Sequence, residues 1–279
     1  MTVVNEHVGV RAPERWVVGD PRQVAALEVA GDDPYFFDHP LDHLPGMALV
    51  SGLLDLVRRA GIGAPEEPGA WLSLSLEFPA FCELAGAVEL EAVPLPGATA
   101  LRAAQGGRVV CEGSIGFREQ VRPAGSRQVA ATAPADPALV HRHRPENVLI
   151  GTPVSVGAVS SVDVLRPAAG HRLATAPGAP LRLETLIDAS RQFGTLLCHQ
   201  EFGRAQDTTL VLLGLDVEVA CGLTGDVRLS RRQTAVPRSR HKSGMDVLVD
   251  GAPAGRVDYD YFSAKPAVYR RMRGEVAAP

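Results

Sequence analysis

Cysteine is scarce in this sequence, and its four copies lie far apart. Cys82, Cys111, Cys198 and Cys221 include no C-x-x-C pair. This spacing argues against a zinc site built on paired cysteines and against the disulfide framework of a small secreted domain. An excess of positive charge is missing as well, because 28 Lys and Arg face 32 Asp and Glu, for a formal net charge of −4. Composition therefore gives no support to a nucleic-acid partner.

Long uncharged apolar runs are also missing. The most apolar segment, residues 208–223, is interrupted by Asp216 and Glu218, and it is too short and too charged to span a bilayer. Residues 1–10 lack the basic region and apolar stretch of a secretory signal. We therefore expect a cytoplasmic protein with no membrane partner.

What the sequence does contain is one pattern of elements that occurs twice. Residues 121–137 are rich in Pro, Ala and Gly and lack an apolar period, which predicts a linker. It would join an N-terminal unit, residues 1–120, to a C-terminal unit, residues 138–279. Each unit is predicted to contain one central helix followed by antiparallel strands.

The helix of the first unit is predicted over residues 46–59, which are apolar on nearly all sides and thus typical of an interior helix. Residues 71–78, WLSLSLEF, then alternate apolar and polar side chains as a half-buried strand does. The helix of the second unit is predicted over residues 184–202. Further strands are predicted within 87–93, 108–117, 154–165, 208–220, 226–236 and 245–262, with a turn at Asp250-Gly251.

One segment carries a specific resemblance. Residues 38–47 read DHPLDHLPGM, which resembles the motif DHP-x-DH-x-PGM of the A-factor biosynthesis hotdog family, the AfsA-type γ-butyrolactone synthases. Residues 141–151, HRHRPENVLIG, are similar to the start of that family's second repeat. Residues 188–194, DASRQFG, are similar to its helix signature. The resemblance implies an α+β double hotdog, with two repeats that each wrap an antiparallel sheet around a central helix.

The resemblance also implies an activity. Family members are thought to transfer a β-ketoacyl group from acyl carrier protein to the hydroxyl of dihydroxyacetone phosphate, so we expect an acyltransferase of secondary metabolism. The thioester would be carried by acyl carrier protein or CoA, and the chain is a possible homodimer. A dehydratase, thioesterase or cyclase of a secondary-metabolite pathway stays open as an alternative, and so does a non-catalytic acyl-binding protein.

The chain departs from the family pattern in both halves. Ser51 stands where the family usually has a glutamate, and residues 174–184, the loop before the second helix, contain no histidine. The second helix nevertheless keeps Asp188, Arg191 and Gln192. Related hotdog dehydratases pair a loop histidine of one unit with a helix carboxylate of the other. We therefore expect one composite site, formed by the first loop and the second helix.

Four residues are the candidate catalytic groups. His39 and His43 are candidate general bases, although either histidine would equally serve to fix its loop. Asp188 is a candidate acid, base or holder of the attacking hydroxyl, with a simple ion pair to Arg191 as the alternative. Arg191 would grip a phosphate or a carbonyl oxygen through paired hydrogen bonds.

Substrate binding is expected at the start of the first helix, where the backbone N–H groups at Gly46 face a developing oxyanion. Met47, Ser51 and Gln192 complete this predicted set, although Gln192 would equally serve in packing and Ser51 would be a relic. Asp38 and Asp42 would either orient a histidine or cap the start of the helix, and we favour capping. No metal or cofactor is expected. The basic residues within 227–242 are either a carrier-protein docking strip or a solvated surface.

Overall fold

Twelve strands form one antiparallel sheet in the computed structural model, which describes residues 8–11, 22–120, 132–232 and 239–274. The strands are β1 (Val8–Arg11), β2 (Gln23–Val29), β3 (Ala70–Glu77), β4 (Val88–Leu95), β5 (Ala98–Gln105), β6 (Arg108–Glu119), β7 (Val154–Val156), β8 (Val159–Asp163), β9 (Thr209–Ala220), β10 (Val227–Arg232), β11 (Arg240–Val249) and β12 (Ala252–Ala264). The helices are α1 (Gly46–Arg59), α2 (Leu183–Gln200) and α3 (Pro266–Met272), and two short 3₁₀ turns cover Pro137–Val140 and Pro145–Asn147.

The sheet has its two halves side by side. The strand order is β1-β2-β4-β5-β6-β3-β9-β12-β11-β10-β8-β7, so all strands from the first half lie on one side of the β3–β9 seam. At the seam Leu74 pairs with Val217 in antiparallel register. The hotdog architecture expected from the sequence, helices against an antiparallel sheet, is what the structure shows.

Helix α1 has the bounds predicted from the sequence, Gly46–Arg59. Ten of its residues are buried, from Met47 to Val57, because α1 packs between the sheet and α2. Helix α2 runs from Leu183 to Gln200, close to the predicted range, and its residues 183–190 are all buried. Among the helices of the described residues, none is long and apolar enough to cross a bilayer.

Strand β3 shows why the alternating pattern was informative. Leu72, Leu74 and Leu76 are at most 2% exposed, whereas Ser75 and Glu77 on the other face are exposed. Burying one leucine side chain contributes about 1.5–3 kcal/mol. The alternation thus fixes which face of the central strand meets the helices.

Two hairpin turns contain a pair of residues with positive φ. Asp250 and Gly251 have φ values of 51° and 81°, so the predicted turn forms between β11 and β12 with two left-handed residues. Gly106 and Gly107, with φ values of 57° and 80°, make the equivalent turn between β5 and β6. Strand β5, like β1 and β2, was not among the predicted strands, and β11 begins at Arg240, before the predicted start at Met245.

The predicted linker is only partly described. Residues 121–131 lie outside the described residues. The rest of the linker packs on the second half, because Pro134 forms a β-bridge with Gly151 and the Ala135 N–H donates to the Ile150 carbonyl at 3.0 Å. Ala135 is buried. Residues 132–137 therefore lie in the C-terminal part of the fold.

Candidate functional site

A cavity of about 940 Å³ opens between the two halves, at the start of α1. The first half contributes the loop that carries His39 and His43, and the second half contributes Arg191 and Thr195 of α2. The structure thus brings the predicted loop and helix to one cavity. Other lining residues include Tyr35, Gly46, Met47, Phe78, Phe81, Cys82, His141, Arg142, His143, Leu210, Leu212, Tyr261 and Tyr269.

Two aspartates hold the histidine loop. Asp33 accepts hydrogen bonds from the N–H groups of Tyr35 and Phe36, at 2.9 and 3.1 Å. Asp38 accepts from the N–H groups of His143 and Arg144, at 3.2 and 2.9 Å, so its carboxylate ties the first loop to the second half. The interpretation of Asp38 as a cap of α1 is wrong, since that helix begins after Pro45 without a side-chain cap.

His39 is half-buried at the cavity wall. Burial, and then the positive charges of Arg142 and Arg191 and the neighbouring His143, lower the pKa of its imidazole. The ring is therefore neutral at pH 7 and can accept a proton. Its Nδ1 atom is buried and has no hydrogen-bond partner among the described residues.

His43 lies further along the same loop in a different environment. Its Nδ1 contacts Asp42 at 2.7 Å and the Tyr269 hydroxyl at 3.1 Å. The Tyr269 hydroxyl also donates to Asp42, at 2.7 Å. Burial alone would raise the pKa of Asp42, but the hydrogen bonds from His43 and Tyr269 lower it. Asp42 thus orients His43 and does not cap α1.

Asp188 is fully buried and lies behind the cavity wall. Arg142 Nη2 donates to its Oδ2 and Arg191 Nε donates to its Oδ1, each at 2.6 Å, while Gln192 donates to Oδ2 at 3.0 Å. Burial alone would raise the pKa of this carboxyl, but Arg142 and Arg191 hold it well below its ordinary value. Asp188 is outside the cavity lining, so its geometry is that of a positioning residue for the two arginines.

Arg142 is a site residue that the sequence did not single out. Its guanidinium lies over the Tyr35 ring at 4.9 Å and donates to the Tyr35 carbonyl at 2.9 Å. It lines the cavity while remaining only 7% exposed. The segment 141–151 was noted as similar to the family, but its role in binding Asp188 depends on a contact across 46 positions.

His141 is a second lining residue that the sequence did not single out. Its Nε2 lies 2.8 Å from His199 Nε2 at the last turn of α2. Burial, and then the proximity of His199, lower the pKa of His141 to about 4. Among the described residues, no group of three or more His, Cys, Asp or Glu side chains is arranged to hold a metal ion.

The predicted substrate-binding residues divide into two pairs. Gly46 and Met47 line the cavity at the start of α1. Ser51 is buried inside α1, and Gln192 accepts from the Leu149 N–H at 2.8 Å and donates to the Asn147 carbonyl at 2.9 Å. Neither Ser51 nor Gln192 is in the cavity lining. Direct substrate contact by these two residues therefore has no geometric support. Gln192 instead links α2 to residues 147–149 through its hydrogen bonds.

Residues 124–262 match the family described as the A-factor biosynthesis hotdog domain. This chain carries an A-factor biosynthesis hotdog domain. The matched range contains Arg142, Asp188, Arg191 and Tyr261, whereas the DHPLDHLPGM segment that carried the resemblance lies outside it. Among curated proteins, none matches the chain significantly.

Solved structures share the fold across nearly the whole chain. The dehydratase domain from the CurJ module of curacin polyketide synthase is 12% identical with a TM-score of 0.63, covering 93% of this chain and 98% of that one. The dehydratase domain of RzxB from Pseudomonas fluorescens is 14% identical with a TM-score of 0.62, covering 91% and 98%. The bifunctional dehydratase-cyclase domain in ambruticin biosynthesis is 19% identical with a TM-score of 0.56, covering 96% and 99%. At these identities the likeness concerns the hotdog fold alone.

A second position, at the start of α2, contains almost no open space in this hotdog protein. The main cavity lies where α1 begins, near the end of β3 and the start of β9. The corresponding place at the start of α2, near the start of β3 and the end of β9, holds a space of only about 10 Å³. There Arg58 Nη1 pairs with Glu184 at 2.7 Å, and its Nη2 pairs with Glu66 at 2.6 Å. The expectation of one composite site stays a prediction.

The basic side chains of residues 227–242 are less available to a partner than the sequence indicates. Arg228 pairs with Asp163 at 2.7 Å, Arg240 pairs with Asp260 at 2.8 Å, and Lys242 lies 3.9 Å from Asp216. Arg231 is 6% exposed and lies against the Phe202 ring. Residues 233–238 lie outside the described residues. Carrier-protein docking on this segment stays a prediction, weakened by these ion pairs.

Proposed function

We propose that this protein transfers a β-ketoacyl group from a carrier-protein or CoA thioester to the hydroxyl of dihydroxyacetone phosphate. In this proposal the chain is a double hotdog with one working site, formed by the loop of the first repeat and the helix of the second. His39 is the general base, and Arg191 binds the phosphate of the acceptor. The family match and the cavity shared by these two residues support the proposal.

The observation that carries the choice of reaction is the environment of Asp188. Loss of water from a β-hydroxyacyl group needs an acid that protonates the departing hydroxyl. Asp188 is paired with Arg142 and Arg191 at 2.6 Å, and its pKa lies well below the ordinary value. At neutral pH it has no proton to give. A neutral imidazole next to a guanidinium, both at the cavity, suits attack by a hydroxyl instead.

The chemistry balances without any cofactor. His39 takes the proton of the acceptor hydroxyl, and the oxygen attacks the thioester carbonyl carbon. The negative oxygen that forms is stabilised by N–H groups at the start of α1, near Gly46. Collapse of this intermediate breaks the carbon–sulfur bond, and the leaving thiolate takes the proton from the His39 imidazolium. The products are the phosphorylated β-ketoacyl ester and the free thiol.

Dehydration is the second candidate, because the solved structures that share this fold are dehydratase domains. In that case the Asp188 carboxyl would have to lose its arginine partners when substrate binds. Nothing in the lining of the cavity requires such a rearrangement. We therefore place dehydration second to acyl transfer.

Product analysis tests the proposal. The purified chain is incubated with a β-ketoacyl thioester and either dihydroxyacetone phosphate or dihydroxyacetone, and the products are separated and weighed by mass spectrometry. We expect a phosphorylated ester and free thiol with the first acceptor, and much less ester with the second. A parallel incubation with a β-hydroxyacyl thioester that yields the unsaturated product, without ester formation in the first reaction, would establish the dehydratase alternative. Release of free acid alone would indicate a thioesterase.

A further inference from the structure

Tyr261 is a cavity residue to which the proposed reaction assigns no role. It lies on β12, its side chain lines the cavity, and only 2% of its surface is exposed. Its hydroxyl has no hydrogen-bond partner among the described residues. Buried hydroxyl groups are nearly always paired, so an unpaired one at a cavity indicates an acceptor that arrives with a ligand.

The position of this hydroxyl is defined by α2. A Cβ atom placed on Gly194 would lie 2.9 Å from Tyr261 Oη, so the hydroxyl packs against the bare backbone at that position. Gly194 is on the same stretch of α2 as Arg191 and Thr195, which both line the cavity. The phenol thus lies beside the two side chains that α2 presents to the cavity.

The Tyr261 phenol is a hydrogen-bond donor at neutral pH, because its pKa is raised and it stays protonated. Burial, reinforced by the nearby Cys198, raises the pKa of the phenol far above its ordinary value. It therefore keeps its proton, and the best partner for the O–H group is an anionic oxygen.

Arg191 offers complementary donors. Its Nε donates to Asp188 at 2.6 Å, and its terminal nitrogens have no acceptor among the described residues. Its side chain is 24% exposed, which leaves it accessible from the cavity. A guanidinium fixed at Nε by a carboxylate is well suited to hold a phosphate through its remaining N–H groups.

We propose that Tyr261 and Arg191 together form the phosphate-binding subsite of the acceptor, with the Tyr261 hydroxyl donating to one phosphate oxygen. The identity of the acceptor rests on the proposed function, but the phosphate group as the bound chemistry rests on these two side chains. Tyr261 thus selects phosphorylated acceptors over their neutral analogues.

Tyr259 provides a matched control. Its ring stacks on that of Tyr261, with centroids 5.3 Å apart, and it is also fully buried. Its hydroxyl donates to the Ile187 carbonyl on α2, and it does not line the cavity. Tyr261→Phe and Tyr259→Phe therefore remove the same atom from stacked neighbours, one from the proposed subsite and one from a structural hydrogen bond.

The experiment measures binding of dihydroxyacetone phosphate and of dihydroxyacetone to both variants by calorimetry, together with thermal unfolding of the free proteins. Tyr261→Phe is expected to weaken phosphate-ester binding about 10-fold or more, with unfolding unchanged or shifted to higher temperature. Tyr259→Phe is expected to lower the unfolding temperature and keep the affinity. Equal affinity of wild type and Tyr261→Phe, or no binding of dihydroxyacetone phosphate by wild type, would overturn the inference.

The two proposals fail separately. If dihydroxyacetone phosphate binds in a Tyr261-dependent way but no ester forms with any thioester, the subsite stands and acyl transfer falls. If ester forms and Tyr261→Phe retains full affinity for the phosphorylated acceptor, acyl transfer stands and the subsite falls.

Discussion

Replacing Asp188 by asparagine should separate a positioning role from a chemical one. The amide keeps the shape of the carboxylate, but it removes the negative charge that lies within 3 Å of both Arg142 and Arg191. Asp188 is itself fully buried, and Arg142 is 6% exposed in its side chain. The substitution therefore leaves two guanidinium groups next to a neutral partner in a poorly solvated place.

The expected magnitude comes from the cost of breaking a buried ion pair on one side, about 3–5 kcal/mol. The low end applies here, because Arg191 is partly exposed and Asp38 still lies 3.8 Å from Arg142. A loss of about 3 kcal/mol lowers the unfolding temperature of a chain of this size by roughly 6–12 °C. Asp258→Asn, which removes one partner of the exposed Arg256, is the matched control and should cost less than about 1 kcal/mol.

The ion pairs of Asp188 also make the stability of the protein depend on pH in a definite direction. The pKa of Asp188 is lower in the folded protein than in the unfolded chain. Its stabilising contribution is therefore complete above the unfolded pKa of about 3.9 and is lost as the pH falls towards the folded value. The difference in stability between wild type and Asp188→Asn should be constant from about pH 5 to pH 8 and shrink below about pH 4.

Thermal and urea unfolding, measured together with acyl-transfer rates, distinguish a positioning role of Asp188 from a chemical one. The positioning role predicts lower stability and weaker binding of phosphorylated acceptor together. Wild-type stability combined with a collapse of kcat would refute it and assign Asp188 to the chemical step.

Further substitutions test the other parts of the site. His39→Gln should lower kcat at pH 7 by about 100-fold or more, because it removes the general base. In wild type, kcat/KM should rise with pH through a pKa below 6.5 and be flat above pH 7. A profile that still rises above pH 7 would exclude His39 as the general base. Glu184→Gln should lower the unfolding temperature, since Arg58 loses a buried partner, and leave kcat unchanged. A fall in kcat without destabilisation would show that the region at the start of α2 takes part in the reaction. Gly251→Val should destabilise the β11–β12 hairpin by about 1–2 kcal/mol, because its φ of 81° is unfavourable for a β-branched residue, and an unchanged urea midpoint would contradict this.

The parts of the fold that could be predicted are those in which local pattern and burial agree. The residues of α1 are apolar on nearly all sides and the helix is buried on nearly all sides, so its bounds were predictable. Strand β3 alternates because one of its faces meets the helices. Strand β5, ATALRAAQ, was missed because alanine is a poor strand former in isolation. It becomes a strand because β4 and β6 pair with it on both sides.

The site shows a similar division. The resemblance predicted that the His39 loop meets the Arg191 helix, because each site of a hotdog pair takes its loop from one unit and its helix from the other. The contacts of Asp38 with residues 143–144, and of Arg142 with Asp188, span 105 and 46 positions. Such pairs depend on how two halves pack, and no periodicity in one sequence encodes them. The unpaired hydroxyl of Tyr261 likewise becomes visible only when its neighbours are in place.

The most direct test of a single working site formed by both halves is the binding stoichiometry of an unreactive thioether analogue of a β-ketoacyl pantetheine. Calorimetry on the wild-type chain should give one analogue per chain, and dihydroxyacetone phosphate should bind in the same 1:1 ratio, with its affinity weakened by Arg191→Met. Two analogues per chain, or dihydroxyacetone phosphate that binds equally well to wild type and Arg191→Met, would contradict a site shared between the first loop and the second helix.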